Sequence, residues 1–293
     1  MINEDAIVQG TANEIALFLS RRLTKLRTQI SGVLNINPFL MAALRDFHQF
    51  TDQTALAEFM LSWHLGTGHA TSFGKMIDER LLPHVFGTTR LDTTCRHQEP
   101  YNRPPFDDID HIIYRSDGAY LLSLKASSWT IQYGQAMGLY NNFRQLGEQH
   151  LEQRGIVVGV FYGHKGLLTD KYRIVRGENV RRQAVLQPLP YVTVKAGEQF
   201  WRWLNDDNPA TQDWVMTGIL QGADYFHTHN ADVAAVVGGA AQQLVEELQR
   251  KYALAKDGTL DWYALLHAIN NDRGERLGTE AVEIDADAFT EEE

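Results

Sequence analysis

Two short apolar runs, His111 to Tyr114 and Ala119 to Leu124, flank Arg115-Ser116-Asp117-Gly118. An Asp-Gly pair between such runs is a strong hairpin signal. Downstream, Ala136, Leu139, Tyr140, Phe143 and Leu146 recur at helical spacing, with Ser127 or Ser128 available as a cap. Gly155 to Phe161 is continuously apolar, as expected of a strand buried on both faces. The order hairpin, helix, strand predicts a right-handed crossover to a strand parallel to the second hairpin strand. Upstream, the pattern predicts helices over about Ile7 to Ser31, Thr54 to Leu65 and Ser72 to Leu82. Gly66-Thr67-Gly68 separates the last two. Val85 to Glu99 reads as irregular, and Pro100 to Pro105 as the entry to the hairpin. Beyond the core, Tyr191 to Lys195 alternates like a strand. Glu198 to Leu204 and Trp214 to Gln221 read as short helices whose tryptophans, Trp201, Trp203 and Trp214, belong to the core. Ala231 to Leu254 reads as a long helix with a small-residue first half, which suits a subunit contact.

The hairpin also brings chemistry together. If Tyr114 pairs with Ala119, Asp110 stands opposite Ser123 and Asp108 opposite Lys125. Alternation along a strand then puts all four on one face. Acids and a lysine on one face suit a metal-assisted hydrolytic site. The alternative is a surface hairpin with a solvated ion pair. Glu79, on the helix before the hairpin, either points at that site or pairs with Lys75 one turn back.

Composition narrows the class. The 293 residues carry a net charge of −10, which argues against indiscriminate nucleic-acid binding but permits a local basic cleft. The densest basic run is Lys171, Arg173, Arg176, Arg181 and Arg182, preceded by Lys165, and is the best candidate for DNA contact. Arg21, Arg22, Lys25 and Arg27 form a second cluster, either a solvated helix face or a phosphate contact. The single cysteine, Cys95, excludes an internal disulfide framework and a cysteine-cluster zinc site. His64, His69, His84 and His111 show no spacing that demands a metal. No apolar run approaches the roughly 18 residues of a membrane span, and no signal peptide is visible, so a cytoplasmic protein without membrane partners is expected. The acidic stretch 278–293 reads as a disordered tail.

The wording of several segments is more specific. Ile36-Asn37-Pro38-Phe39, Thr67-Gly68-His69, Phe73-Gly74-Lys75-Met76-Ile77-Asp78-Glu79 and Pro83-His84-Val85-Phe86-Gly87 are among them. So are Phe106-Asp107-Asp108-Ile109-Asp110-His111, Leu121-Leu122-Ser123-Leu124-Lys125-Ala126, Val157-Val158-Gly159-Val160-Phe161-Tyr162-Gly163 and Leu168-Thr169-Asp170-Lys171-Tyr172-Arg173-Ile174. Across roughly Ile36 to Leu204 the chain resembles type II restriction endonucleases that cut RGGNCCY, within the PD-(D/E)XK nuclease superfamily. The resemblance implies an α/β fold: a mixed sheet flanked by helices as catalytic core over 101–205. A helical region over 1–100 and another over 206–277 would flank it, followed by the tail. It implies Mg²⁺-dependent cleavage of double-stranded DNA by a homodimer, paired with a cognate DNA methyltransferase in a restriction-modification system.

In that reading Asp110 is the central Mg²⁺ ligand, Asp108 its reserve, and Lys125 the charge that stabilises the attacking water or the phosphate. The superfamily expects an acid where this chain has Ser123. The enzyme type that the chain resembles carries the same Ser-Leu-Lys, so Ser123 reads as a family trait. Glu79 would replace the acid as catalytic and metal-binding group, with Gln132 or Gln135 orienting water. Arg173 and Arg176 are the expected readers of guanine edges. Two other classes stay open: a structure-specific repair or recombination nuclease, and a DNA-binding protein that has lost activity through Ser123.

Overall fold

The computed structural model describes residues 1–28, 37–125, 132–149, 154–179, 185–252 and 254–270. The expected caps Ser127 and Ser128, the arginines Arg181 and Arg182, and the acidic tail lie outside them.

The described chain forms two compact units. One is built from Met1–Arg22 and His69–Ala231, the other from Leu23–Gly68 and the described residues from Asp232. Helices α1 (Glu4–Thr28) and α3 (Gln53–Met76) contribute to both.

The first unit is organised on a five-stranded mixed sheet in the order β1-β2-β3-β4-β5. The hairpin is β2 (His111–Arg115) and β3 (Gly118–Lys125), antiparallel, with Tyr114 opposite Ala119, the pairing on which the sequence reading was built. Gly118 closes the turn at φ +135°, a conformation that a Cβ disfavours. Helix α6 (Tyr133–Gln149) leads to β4 (Gly155–Val160), which is buried along its whole length and parallel to β3. β5 (Val192–Ala196) adds parallel to β4.

Each sheet face carries a core. Ile112, Leu121, Ile156, Val158 and Val160 pack with α6 through Leu139, Tyr140, Phe143 and Leu146. Ile113, Leu122 and Val157 pack on the other face. Their partners there are Ile7 of α1, the π-helical turn Ile77–Leu81, α4 (Leu82–Phe86) and α8 (Glu198–Leu204). Trp201 and Trp203 are in this core and Trp214 packs against it, as the sequence suggested.

Three expectations are corrected. Gly66-Thr67-Gly68 does not end a helix: α3 runs through it. Glycine costs roughly 1 kcal/mol in a helix interior but does not forbid it, and the flanking helical pattern outweighs that cost. The stretch after Val85 is not irregular throughout: Thr89–Arg90 forms edge strand β1 against Ile112 and His111, and α5 spans Thr93–Arg96 behind an Asp92 cap. The short helix expected at Trp214 is α9 (Thr211–His229). Its Gly218 and Gly222 let it approach α1 closely. A Cβ would lie 2.6 Å from Thr11 at the first and 2.5 Å from the Ala12 carbonyl oxygen at the second.

The second unit is helical. It contains α2 (Pro38–His48), the first part of α3, α10 (Val233–Tyr252) and α11 (Trp262–Asn270). Asn37 caps α2 by accepting from the Phe39 and Leu40 amides, both at 3.1 Å, with Pro38 at the first helical position. Leu56, Met60, Leu244, Leu248 and Leu265 lie in the core. Buried Gln53 is held there by three bonds. Its amide donates to the Ala255 and Thr259 carbonyls, and its oxygen accepts from Gln249. The small-residue half of α10 is largely exposed, and a Cβ on Gly238 or Gly239 would meet nothing within 4 Å.

No helix among the described residues is long and apolar enough to cross a membrane.

Candidate active site

The site is assembled where the hairpin ladder runs one residue past β2. The Asp110 amide donates to the Leu122 carbonyl at 2.8 Å, and the Asp110 carbonyl accepts from Leu91 at 2.8 Å. Asp110 is thereby clamped between β1 and β3. Alternation from Ile112 and Leu121, both in the α6-side core, places Asp110, Ser123 and Lys125 on that same side. The Asp110 Oδ2 accepts the Leu124 amide at 2.5 Å. Burial pushes the Asp110 carboxyl above its ordinary range, against the opposing pull of the Lys125 charge and the Leu124 amide. The carboxyl is thus partly desolvated, with a cation close enough to act on it. Ser123 is fully buried, and its Oγ has no hydrogen-bond partner among the described residues. A buried hydroxyl without a partner is costly by roughly 1–3 kcal/mol, so such a group calls for an explanation.

Asp108 is placed differently from the hairpin extrapolation. It lies in a turn beyond the ladder, after the 3₁₀ turn Pro104–Phe106, and accepts from Asn142 Nδ2 of α6 at 2.6 Å. Gln135 acts as a helix cap: its side-chain oxygen accepts the Gln132 amide at 2.9 Å, closing the first turn of α6.

The opposite face of β2 carries a second polar cluster. His111 is fully buried, with Thr88 Oγ1 2.9 Å from its Nδ1 and Asp78 Oδ1 2.8 Å from its Nε2. Arg90 of β1 donates to Asp78 at 3.3 Å and to Glu79 at 3.1 Å. Glu79 is therefore engaged with Arg90. The negative charge that acts on Asp110 is that of its neighbour Asp78. The same π-helical turn sends Arg80 to Glu14 at 3.0 Å, where His84 Nδ1 also meets Glu14 at 2.8 Å. Burial alone would raise the Glu14 carboxyl, but the bonds and charges of Arg80 and His84 hold it below its ordinary range. Asp78 was not singled out in the sequence. Its signal there was only a carboxylate next to Glu79, and the partner that fixes it lies 33 residues away.

The basic run falls on short elements. Lys165 is exposed at the start of the 3₁₀ turn Lys165–Leu167. Lys171 and Arg173 lie on α7 (Lys171–Val175), and Arg176 caps its C-terminus. Arg173 and Arg176 both pair with Glu178. In the N-terminal cluster, Arg22 donates to His69 at 3.0 Å and Ser72 at 3.2 Å.

Among the described residues no group of three or more His, Cys, Asp and Glu side chains gathers closely enough to hold a metal. An all-protein cage is therefore not what the donors offer. Mg²⁺ seldom needs one, since one or two carboxylates with waters and substrate phosphates complete its shell. Asp110, with the unpartnered Ser123 hydroxyl on the same face, fits that mode.

The fold and site thus define a mixed α/β protein with a partly buried acid and a lysine at the end of its central hairpin. No protein-family profile and no curated protein matches the chain. The likeness to RGGNCCY-cutting enzymes stands on the quoted segments alone.

Proposed function

We propose that this chain is a type II site-specific deoxyribonuclease on a PD-(D/E)XK core, cutting both strands of DNA at an interrupted palindrome containing GGNCC, such as RGGNCCY. One observation carries the reading: Asp110, Ser123 and Lys125 share one sheet face, with the Lys125 charge acting on a partly desolvated Asp110. The order of hairpin, helix and parallel strand is the one expected of that core.

Phosphodiester hydrolysis needs an activated water and neutralised phosphate charge. A bound Mg²⁺ would supply Lewis acidity and lower the pKa of water. Asp110 would hold the cation, oriented by the Leu124 amide. Ser123 would offer a neutral oxygen. Lys125 would place positive charge at the reacting phosphate. Lys165, Lys171, Arg173 and Arg176, with Arg181 and Arg182, would contact DNA. A two-fold site is most simply read by a homodimer, and the exposed small-residue half of α10 suits such a contact. A cognate methyltransferase would protect the host site.

The test is digestion of a sequenced plasmid with the purified protein and Mg²⁺, followed by reading of the fragment ends. Ends at GGNCC sites support the reading, and ends elsewhere overturn it. One observation favours a second reading: a neutral serine stands where an acid is expected, as in a DNA-binding protein that has lost cleavage. Sequence-specific binding without any cutting would select it.

A further inference from the structure

Arg173 and Arg176 converge on one carboxylate. Arg173 Nε donates to Glu178 Oε2 at 2.9 Å, and Arg176 Nη2 pairs with Oε1. The main chain builds this meeting. After α7 the Gly177 amide donates to the Ile174 carbonyl at 2.8 Å, and the Glu178 amide to that of Arg173 at 3.0 Å. Gly177 has φ +76°, and a Cβ there would lie 2.0 Å from the Gln187 carbonyl oxygen. Only glycine permits this return. The Arg176 carbonyl in turn accepts from Leu189 at 2.9 Å. Glu178 is thus presented to the two guanidiniums by a fixed backbone, not by a chance meeting of long side chains.

Both guanidiniums pair with the one Glu178 carboxylate, while Asp170 acts on Arg173 only through its charge, and the buried Nε of Arg176 has no partner among the described residues. Guanidinium forks match carboxylate and phosphate geometry alike. The fork is also partly open to solvent, with Arg173 53% and Glu178 36% exposed, so a larger anion can reach it.

We infer that Glu178 is an internal stand-in for a DNA backbone phosphate: it fills the Arg173–Arg176 fork in the free protein, and a phosphodiester displaces it on binding. The identity of the anion rests on the DNA-cleaving reading above. The consequence is a uniform cost: any phosphate that enters the fork must first displace Glu178, whatever the DNA sequence. This assigns the two arginines to phosphate contact, not to guanine edges.

The experiment uses the full chain in EDTA, so that binding is measured without cleavage. Anisotropy titrations with a labelled RGGNCCY duplex and a scrambled duplex are run across NaCl concentrations. Glu178→Gln keeps the shape and removes the charge. Both duplexes should bind about fivefold tighter, the scale of releasing an exposed ion pair. The slope of log K against log salt should steepen by about 1, as for one further neutralised phosphate. In an Arg173→Gln/Arg176→Gln background the same change should bring no tightening. Weaker or unchanged binding by Glu178→Gln would make Glu178 a prop for the arginines and overturn the inference. Tightening that persists without both arginines would reduce it to general charge repulsion. Tightening confined to the RGGNCCY duplex would mean guanine contact instead. Plasmid cleavage by the wild-type protein reports separately on the DNA-cleaving reading. Cleavage with an unaltered Glu178→Gln affinity defeats only this inference, whereas neither binding nor cleavage by wild type defeats the reading beneath it.

Discussion

Two polar clusters meet at β2, one on each face, and they are satisfied to different degrees. On the face toward the π-helical turn, Thr88, His111, Asp78, Arg90 and Glu79 form a continuous chain of bonds. On the α6 side, Asp110 has its carboxyl raised by burial, and Ser123 has a buried hydroxyl with no partner among the described residues. Satisfied buried networks rigidify a fold, whereas unmet polar capacity stores free energy that a ligand can recover. The comparison marks the first cluster as scaffold and leaves the second as the candidate site.

Substitutions can break that assignment. The largest expected effect is on the Asp110 face. Asp110→Asn and Lys125→Ala should each lower Mg²⁺-dependent cleavage by about 10²–10³-fold or more, as loss of a charge-stabilising group does. Duplex binding in EDTA should be largely kept. Wild-type-like cutting by either variant would sink the site.

The scaffold face should respond in the opposite currency, stability. Asp78→Ala strips buried His111 and Arg90 of a shared acceptor and should cost about 1–3 kcal/mol in urea unfolding. A variant as stable as wild type but unable to cut would move Asp78 to the functional cluster.

Glu14 sharpens the same side through pH. Its folded carboxyl is held below the ordinary 4.5, so its contribution is present above about that pH and is lost as pH falls through the lower folded value. Glu14→Gln should therefore destabilise the protein at pH 7 by about 1–2 kcal/mol. That deficit should shrink toward zero in acid. A deficit that stays constant down to pH 3 would remove the Arg80 and His84 pairing as its source.

The smallest effect should be Ser123→Ala. Removing an unpartnered buried hydroxyl leaves nothing unsatisfied, so stability should be unchanged or higher by up to about 1 kcal/mol. Clear destabilisation would show that the hydroxyl has a structural partner and would weaken the contrast.

Much of the Asp110 face was legible beforehand, for local reasons. The Ser116-Asp117 turn, closed by Gly118, and the apolar runs around it specify one register, because a slip by one residue would turn every core side chain to the wrong face. The α6 stripe and the unbroken apolar run of β4 were equally clear. The edge strand β1 was not: two residues, Thr89 and Arg90, carry no periodicity. Glu79 stood out as a glutamate on the helix before the hairpin, yet Arg90 on that edge strand holds it. The fork on α7 was visible only as basic density, since its acid is delivered by a glycine turn whose geometry no spacing rule announces.

Taken alone, the sequence determined which residues alternate and which recur every turn, and so put Asp110, Ser123 and Lys125 on one face, though the same alternation also put Asp108 there, where the structure has it in a turn beyond the ladder. Those are properties of a strand or helix by itself. Tertiary structure decided which charges are answered. Whether Asp78 meets His111, Glu79 meets Arg90, or Ser123 finds no partner among the described residues depends on groups far apart in the chain. Their partners are selected by packing around the sheet, where desolvation makes each missing or made bond count.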